Sequence, residues 1–335
     1  MPLPAGMPLA RRAAGLATGG RRGVRSKVGT VGARAPAIPR AVWTAGLAGF
    51  AILAFAGNSL LTRAALGDGR IGAEAFAGIR LIAGAAMLAV IALPRGAVVV
   101  PRRADLPGIA ALVVYAAAFT YAYLDLGAAT GALILFGMVQ FTMTAVTTIR
   151  GTPPGRREMA GLAVALAGFG WLLAPGLVAP PMAAALLMGL AGAAWGVYTL
   201  LGRGAADPLA QTARYFVGAA PLGLVLLALA SAGSAGALEL PGVRGVALAI
   251  LSGAVTSAIG YAVWYTVLPR LSVTVAGISQ LLVPAIAAAG GALWLGEPLS
   301  ARVVGATVLI LAGIGLGLRR GPGQGRAPGP PPRGS

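Results

Sequence analysis

Residues 272–320 read SVTVAGISQLLVPAIAAAGGALWLGEPLSARVVGATVLILAGIGLGLRR, and this stretch decides the fold. Two apolar runs of about 20 residues flank a polar break at 296–300, and that length crosses a bilayer core of roughly 30 Å. Pro298 and Ser300 suit a turn followed by a helix start, while Gly305 and Gly313 leave a thin helix surface for close packing. The stretch therefore predicts a transmembrane helical hairpin.

The hairpin pattern occurs a second time in weaker form, which indicates an internal duplication. Three alignments relate the halves: residues 131–174 with 275–318 at an offset of 144, residues 55–65 with 195–205 at 140, and Arg80 with Arg214 at 134. The offset drifts because loops differ in length. We expect two repeats, residues 41–176 and 180–320.

Bulk composition is that of a polytopic membrane protein. Hydrophobic residues make up 58% of the chain, charged residues only 10%, and mean hydropathy is +0.85. The chain has no cysteine and no histidine, which excludes disulfides, thiol nucleophiles, Cys/His metal sites and histidine proton relays. No metal and no cofactor are expected.

The net charge of +18 is concentrated outside the apolar runs. Residues 1–40 carry eight basic residues and no acid in a Gly/Ala/Pro-rich background, which predicts a disordered basic tail, and residues 321–335 predict a second one. The tail is expected to touch anionic lipid headgroups; a start at Met7 and a cleaved export signal after twin arginines are alternatives.

Ten transmembrane helices are predicted in an all-α fold. Their spans are 42–62, 73–93, 106–124, 128–149, 158–174, 182–202, 209–230, 244–264, 272–295 and 299–318. Twenty basic residues then fall on the side of the termini and four on the other, so both termini are predicted to be cytoplasmic. Because each repeat has five spans, the second repeat must be inverted relative to the first, as in many secondary transporters.

Residues 42–318 resemble two EamA-type repeats of the drug/metabolite transporter superfamily. The resemblance is most specific in LLVPAIAAAGGALWLGEPLSARVVGATVLILAGIGLGL, where Pro284, Gly296 and Glu297 match the Pro and Gly-Glu signature of the second repeat. The first repeat departs from the pattern, since Gln140 aligns with Pro284 and Pro153 with Glu297. The two halves are therefore not expected to be equivalent in mechanism.

The resemblance implies a permease of the bacterial inner membrane that exports or imports small organic metabolites, often amino acids or related compounds, by alternating access, and export is the expected direction. The expected partners are a small-molecule substrate and membrane lipids, not nucleic acid, and a homodimer is an open alternative. An exporter of lipophilic drugs or cations and a non-transport assembly factor are the other interpretations. An enzyme is not expected, because the chain has no histidine or cysteine, its carboxylates do not cluster and its loops are short. ATP-driven pumping is not expected either, because no phosphate-binding GxxxxGK[ST] loop occurs.

Ionisable residues inside predicted spans are expensive to bury and are therefore candidate functional groups. Arg80 and Arg214 could snorkel to the interface, or could face a cavity as a pseudo-symmetric pair that binds a carboxylate. Glu74 opens the helix of Arg80, where a helix-capping role and proton coupling are both open. Asp125 is either a loop charge or a titrating gate, and Glu297 either fixes the last hairpin or takes part in transport.

Uncharged polar and aromatic residues complete the candidate substrate path. Each could instead make a helix–helix hydrogen bond, break a helix, or, for the aromatic residues, belong to an interfacial belt. The polar candidates are Asn58, Ser59, Gln140, Tyr198, Thr199 and Gln280, and the aromatic candidates are Tyr121, Tyr123, Tyr261, Trp264 and Tyr265.

Overall fold

A computed structural model describes residues 40–67, 69, 71–151, 155–174, 179–203, 205–233, 242–271, 279–280 and 282–318. Within these residues the chain is helical and contains no strand. The predicted basic tails, apart from Arg40, and residues 272–278 of the ninth predicted span lie outside them.

The helices follow the apolar runs in chain order. They are α1 (Arg40–Leu66), α2 (Ala73–Ala92), α3 (Leu106–Asp125), α4 (Ala128–Ile149), α5 (Arg156–Leu173), α6 (Met182–Gly202), α7 (Pro208–Gly233), α8 (Val243–Leu251), a π-helical segment (Ser252–Ile259), α9 (Gly260–Val267), α10 (Leu282–Trp294) and α11 (Ala301–Leu318). Helices satisfy every backbone polar group internally, which a lipid environment requires.

Seven of the described helical segments are long and apolar enough to cross a membrane. They correspond to predicted spans one to four and six to eight, and the eighth combines α8, the π-helical segment and α9 in one segment, Val243–Arg270. The three remaining predicted spans correspond to shorter apolar helices, Met159–Leu172, Leu282–Trp294 and Ala301–Gly313. The protein is therefore a multi-pass membrane protein, and large apolar side chains such as Leu53, Val90 and Leu224 are exposed on its outside.

The most extensive helix contacts join the first half of the chain to the second. α2 packs on α7, α3 packs on α6, and α5 packs on α11, while α1 lies against α9 and the π-helical segment. Glycine permits the closest of these approaches: a Cβ on Gly78 of α2 would lie 2.6 Å from the carbonyl oxygen of Gly223 on α7. Gly253 of the π-helical segment touches the backbone of Arg80 in the same way. The π-helical segment thus lies directly against the most deeply buried arginine.

Candidate functional site

Arg80 lies in the interior of the helix bundle, where its side chain is only 1% exposed. It does not snorkel to the interface, because α3, α7 and the π-helical segment cover the face of α2 that carries it. The two ion pairs found in the described part of the chain join other residues. A buried guanidinium without a carboxylate partner is energetically costly, which marks it as a functional group.

Among the described residues, the groups that contact the Arg80 guanidinium are neutral. Nη2 donates to the hydroxyls of Tyr115 at 3.1 Å and Tyr261 at 3.2 Å, and Nε donates to Ser257 Oγ at 3.2 Å. The Cζ atom lies 4.8 Å from the ring centroid of Phe119, within cation–π range. Among the described residues, Nη1 is buried and has no hydrogen-bond partner. The N–H donors of Nη1 are therefore unused within the described structure.

Asn58 extends this network from α1. Its Nδ2 donates to Tyr115 Oη at 3.0 Å, and its Oδ1 accepts from Ser252 Oγ at 2.6 Å and Thr256 Oγ1 at 3.2 Å. Tyr261 Oη donates to Tyr115 Oη at 3.1 Å, which closes the network. α1, α2, α3, α9 and the π-helical segment all contribute to it. We call these seven residues the polar centre: Asn58, Arg80, Tyr115, Ser252, Thr256, Ser257 and Tyr261.

Aromatic rings pack against the polar centre. The ring of Trp195 lies 4.5 Å from that of Tyr261 and stacks on Tyr198 at 5.3 Å. Phe55 lies 5.5 Å from Trp195 and 5.6 Å from Trp264. In the described part of the chain, the indole Nε1 atoms of Trp195 and Trp264 are buried without an acceptor. Arg80 Nη1, Trp195 Nε1 and Trp264 Nε1 are therefore three of the four buried N–H donors that lack an acceptor within the described structure, the fourth being Gln140 Nε2.

Two of these contacts join positions that the predicted duplication would relate. Phe55 and Trp195 are aligned at the offset of 140, and their rings touch. Tyr115 and Tyr261 are separated by 146 positions, two more than the largest of the three alignment offsets, and their hydroxyls are hydrogen-bonded. Related residues that meet at the centre are expected of two halves arranged around a pseudo-two-fold axis.

At one end of the bundle, an ion pair joins α1 to the loop between α10 and α11. Arg63 Nε, near the end of α1, lies 2.9 Å from Glu297 Oε1, and Glu297 Oε2 accepts from the backbone N–H of Ala128 at 2.7 Å. Ala128 begins α4, so the carboxylate also meets the positive end of a helix dipole. Arg63 Nη1 donates to the carbonyls of Tyr123 and Leu124 at 3.3 Å. Glu297 thus joins the last hairpin to the first half of the chain. This contact corresponds to the hairpin-fixing role, which is one of its two predicted roles.

A second ion pair lies at the opposite end, where α3 begins. Arg214 Nε of α7 lies 2.8 Å from Asp105 Oδ2, and the carboxylate also accepts from the N–H of Arg102. The two arginines of the predicted anion-binding pair are therefore not equivalent, because a carboxylate neutralises the guanidinium of Arg214. Of the two, Arg80 is the one without a carboxylate partner among the described residues.

The other predicted site residues differ in burial and in their hydrogen-bond partners. Glu74 Oε1 accepts from Tyr121 Oη at 2.8 Å instead of capping α2, and Asp125 is exposed at the end of α3. Four of the five aromatic candidates are buried inside the bundle, so the interfacial-belt alternative is wrong for them. The exception is Tyr121, which is half-buried. The buried predicted residues are Ser59, Tyr123, Tyr198, Thr199, Tyr261, Trp264, Tyr265, Gln280 and Pro284, whereas Gln140 is half-buried.

Four members of the polar centre were not predicted: Tyr115, Ser252, Thr256 and Ser257. Tyr115 could have been found from its alignment with Tyr261. The hydroxyls at 252–257 face inward because of the π-helical segment, for which the sequence has no recognisable signal. Within the described residues, no group of three or more Asp and Glu side chains could hold a metal ion.

Comparisons with known proteins agree with this architecture. The chain is 51% identical over 266 residues to the uncharacterized protein PA1977 of Pseudomonas aeruginosa, covering 79% of this chain and 91% of that protein. A crystal structure described only as that of a protein superposes with a TM-score of 0.59 over 82% of this chain and 97% of that chain; at 17% identity it supports the fold alone. The sequence model of the EamA-like transporter family matches residues 182–318. The chain therefore belongs to the EamA-like transporter family, within the drug/metabolite transporter superfamily.

Proposed function

We propose that the protein is a secondary transporter that moves a small organic carboxylate, such as an amino acid or a related compound, across the bacterial inner membrane. The observation that carries the proposal is the Arg80 guanidinium, which is buried, lacks a carboxylate partner and has a free Nη1 within the described structure. A guanidinium binds a carboxylate with two parallel hydrogen bonds, so a substrate carboxylate would neutralise it.

The arrangement of the halves supports alternating access. In our proposal ten spans form two inverted repeats, with both termini in the cytoplasm and the basic loops on that side. The helix contacts support this arrangement: α2–α7 and α5–α11 join helices that the proposed repeats make equivalent, and the contact of α1 with the eighth span would be the counterpart of α3–α6. Export is the proposed direction, and lipids and the substrate are the proposed partners.

The polar centre lies between the two ion pairs, and this arrangement suits a transporter that opens alternately to the two sides of the membrane. Arg63–Glu297 would open for one side of the membrane and Asp105–Arg214 for the other. Each pair joins a helix of the first half to an element of the second, so either would break if the halves rocked apart. Both pairs are formed here, as expected of a closed state.

Lipophilic drug export is the second candidate, and one observation favours it. An apolar cleft of about 810 Å³ runs between α1 and α10, lined by residues such as Ile52, Leu282 and Ile286. A lipophilic cation that entered by this cleft would meet the positive charge of Arg80, which is electrostatically unfavourable. The carboxylate proposal is therefore preferred.

Metabolite profiling of an overexpressing bacterial host tests the proposal. Medium and cells are compared for the wild type, an empty vector, Arg80→Gln and Arg244→Gln at matched membrane abundance. Arg244 is exposed at the start of α8, so its variant removes the same charge from outside the centre. We expect extracellular accumulation of a carboxylate with the wild type and Arg244→Gln but not with Arg80→Gln. Equal profiles for the wild type and the empty vector would contradict transport.

A variant lacking residues 1–40 separates transport from the assembly-factor alternative. A transporter whose site lies in the bundle keeps its export activity without that segment. Loss of the wild-type profile at unchanged membrane abundance would instead favour a role that depends on the basic tail.

A further inference from the structure

The charges of the interior restrict the substrate more narrowly than the proposed transport function does. Arg80 and Asp105 are the buried charged side chains in the described interior, and Asp105 is neutralised by Arg214. The polar centre therefore carries one uncompensated positive charge. In a low-dielectric interior an uncompensated charge is strongly unfavourable, so a ligand of charge −1 is favoured over a neutral zwitterion or a dianion.

The buried N–H groups that lack an acceptor also favour a negatively charged ligand. Arg80 Nη1, Trp195 Nε1 and Trp264 Nε1 can only donate, and all three lack acceptors among the described residues. Ring contacts connect them: the Tyr261 ring, whose hydroxyl binds Arg80, touches Trp195, and Phe55 touches both tryptophans. A carboxylate supplies acceptors only. An ammonium group would add donors beside three donor-only groups that already lack an acceptor.

The described contacts of the polar centre include no acid that could receive an ammonium group. Glu74 binds Tyr121, and Glu297 binds Arg63 and the start of α4. The rings of Phe55, Trp195, Tyr198 and Trp264 provide flat apolar surface instead. Such surface favours a planar apolar substrate body.

Resting on the transport proposal above, we infer that the substrate is an aromatic or similarly flat apolar monocarboxylate without an ammonium group. Its carboxylate binds Arg80 and the two indole N–H groups, and its body packs among the aromatic rings. Amino acids are accordingly poor substrates compared with the matching deaminated acids.

Three probes that differ by single groups test this inference on the purified full chain in detergent. 3-Phenylpropionate and L-phenylalanine differ only in the ammonium group, and phenethylamine lacks the carboxylate of phenylalanine. Affinity is measured from the ligand-dependent rise in Tm. We expect 3-phenylpropionate to bind at least tenfold more tightly than phenylalanine and phenethylamine to give no rise. Phenylalanine binding as tightly as 3-phenylpropionate, or neither acid binding, would overturn the inference.

Variants show whether the binding uses the proposed donors. Arg80→Gln should abolish the response to 3-phenylpropionate, whereas Arg244→Gln should leave it unchanged. Trp195→Phe and Trp264→Phe keep a ring but lose the N–H, and each should weaken binding about three- to tenfold. These two variants keep the test valid if Arg80→Gln does not fold. Unchanged affinity in both tryptophan variants, or in a folded Arg80→Gln, would overturn the assignment.

Counterflow of labelled 3-phenylpropionate in proteoliposomes separates this inference from the proposed function. Counterflow that depends on Arg80 supports both. Arg80-dependent binding without counterflow would support the binding site but contradict the proposed transport function. Arg80-dependent export of an amino acid in the profiling experiment, without binding of 3-phenylpropionate, would leave transport in place and overturn the ammonium-free substrate class.

Discussion

At the scale of single residues, the proposed function depends on how the interior holds one positive charge. Arg80 is positioned by hydroxyls, and Tyr115 contributes most, because its oxygen meets Arg80, Asn58 and Tyr261. The hydroxyls disperse the charge without neutralising it. This leaves the guanidinium oriented and still able to gain from an anionic ligand.

Tyr115→Phe is expected to weaken both the fold and substrate binding. Hydrogen bonds to charged groups contribute about 1.5–3 kcal/mol, and the variant leaves buried donors without an acceptor. We expect destabilisation of about 1–3 kcal/mol and a tenfold or greater loss of transport. Stability is measured by denaturation in mixed micelles and transport by counterflow.

Tyr121→Phe is the matched control for this prediction. It removes a tyrosine hydroxyl from the same helix, but one that binds Glu74 in a half-buried position. We expect transport within about twofold of the wild type, since the hydroxyl does not touch the polar centre. A larger loss in Tyr121→Phe than in Tyr115→Phe would show that the substrate path runs along Glu74.

The sequence did not distinguish Arg80 from Arg214, for a physical reason. Both arginines occur at similar depths in related helices, so their local sequences look alike. The difference is Asp105, which is 109 positions from Arg214 along the chain and becomes its neighbour only when α3 and α7 pack together. No local pattern contains that information.

At the scale of helices, small residues decide how closely the halves approach. α2 and α7 cross at Gly78 and Gly223, each of which faces the backbone of the other. Gly78→Val would overpack this crossing and is expected to cost about 1–3 kcal/mol. Gly46→Val is the control, because a Cβ at Gly46 on α1 would meet no atom within 4 Å.

The measurement for this pair is the Tm of each purified variant. We expect a clear decrease for Gly78→Val and little change for Gly46→Val. Equal Tm values would mean that the α2–α7 contact does not limit stability.

The ion pair between α1 and the last hairpin allows a second prediction at this scale. Arg63→Gln and Glu297→Gln should each destabilise the fold by about 1–3 kcal/mol, since both groups are partly buried. Their effects should not be additive, because either change breaks the same contact. A double-mutant cycle measures the coupling, and strictly additive effects would contradict a direct interaction.

Helix existence was largely predictable from the sequence, whereas helix irregularity was not. Apolar length alone identifies the seven helical segments that can span a membrane. It does not reveal the π-helical segment Ser252–Ile259, which packs against α1 and α2. The inward hydroxyls of the polar centre were missed for that reason.

At the scale of the whole molecule, the predicted duplication aligns residues that meet in the folded protein. Phe55 and Trp195 are aligned at the offset of 140, and their rings are in contact. The membrane orientation remains a prediction from basic residues. It can be tested directly because the chain has no cysteine, so single cysteines can be introduced without removing others.

Asp125→Cys and Arg156→Cys report on opposite sides of the membrane. Both positions are exposed, and cytoplasmic termini place Asp125 outside and Arg156 inside. We expect a membrane-impermeant maleimide to label Asp125→Cys in intact cells and Arg156→Cys only after permeabilisation. The reverse pattern would invert the topology.

The central claim is that the transported substrate is bound by the buried charge of Arg80. Its most direct test is the initial rate of efflux, from proteoliposomes, of the metabolite identified by profiling, for the wild type, Arg80→Gln and Arg244→Gln. Loss of one partner of a buried charge pair costs about 3–5 kcal/mol, so we predict at least a hundredfold decrease for Arg80→Gln and no change for Arg244→Gln. Efflux by a folded Arg80→Gln at the wild-type rate would contradict this claim.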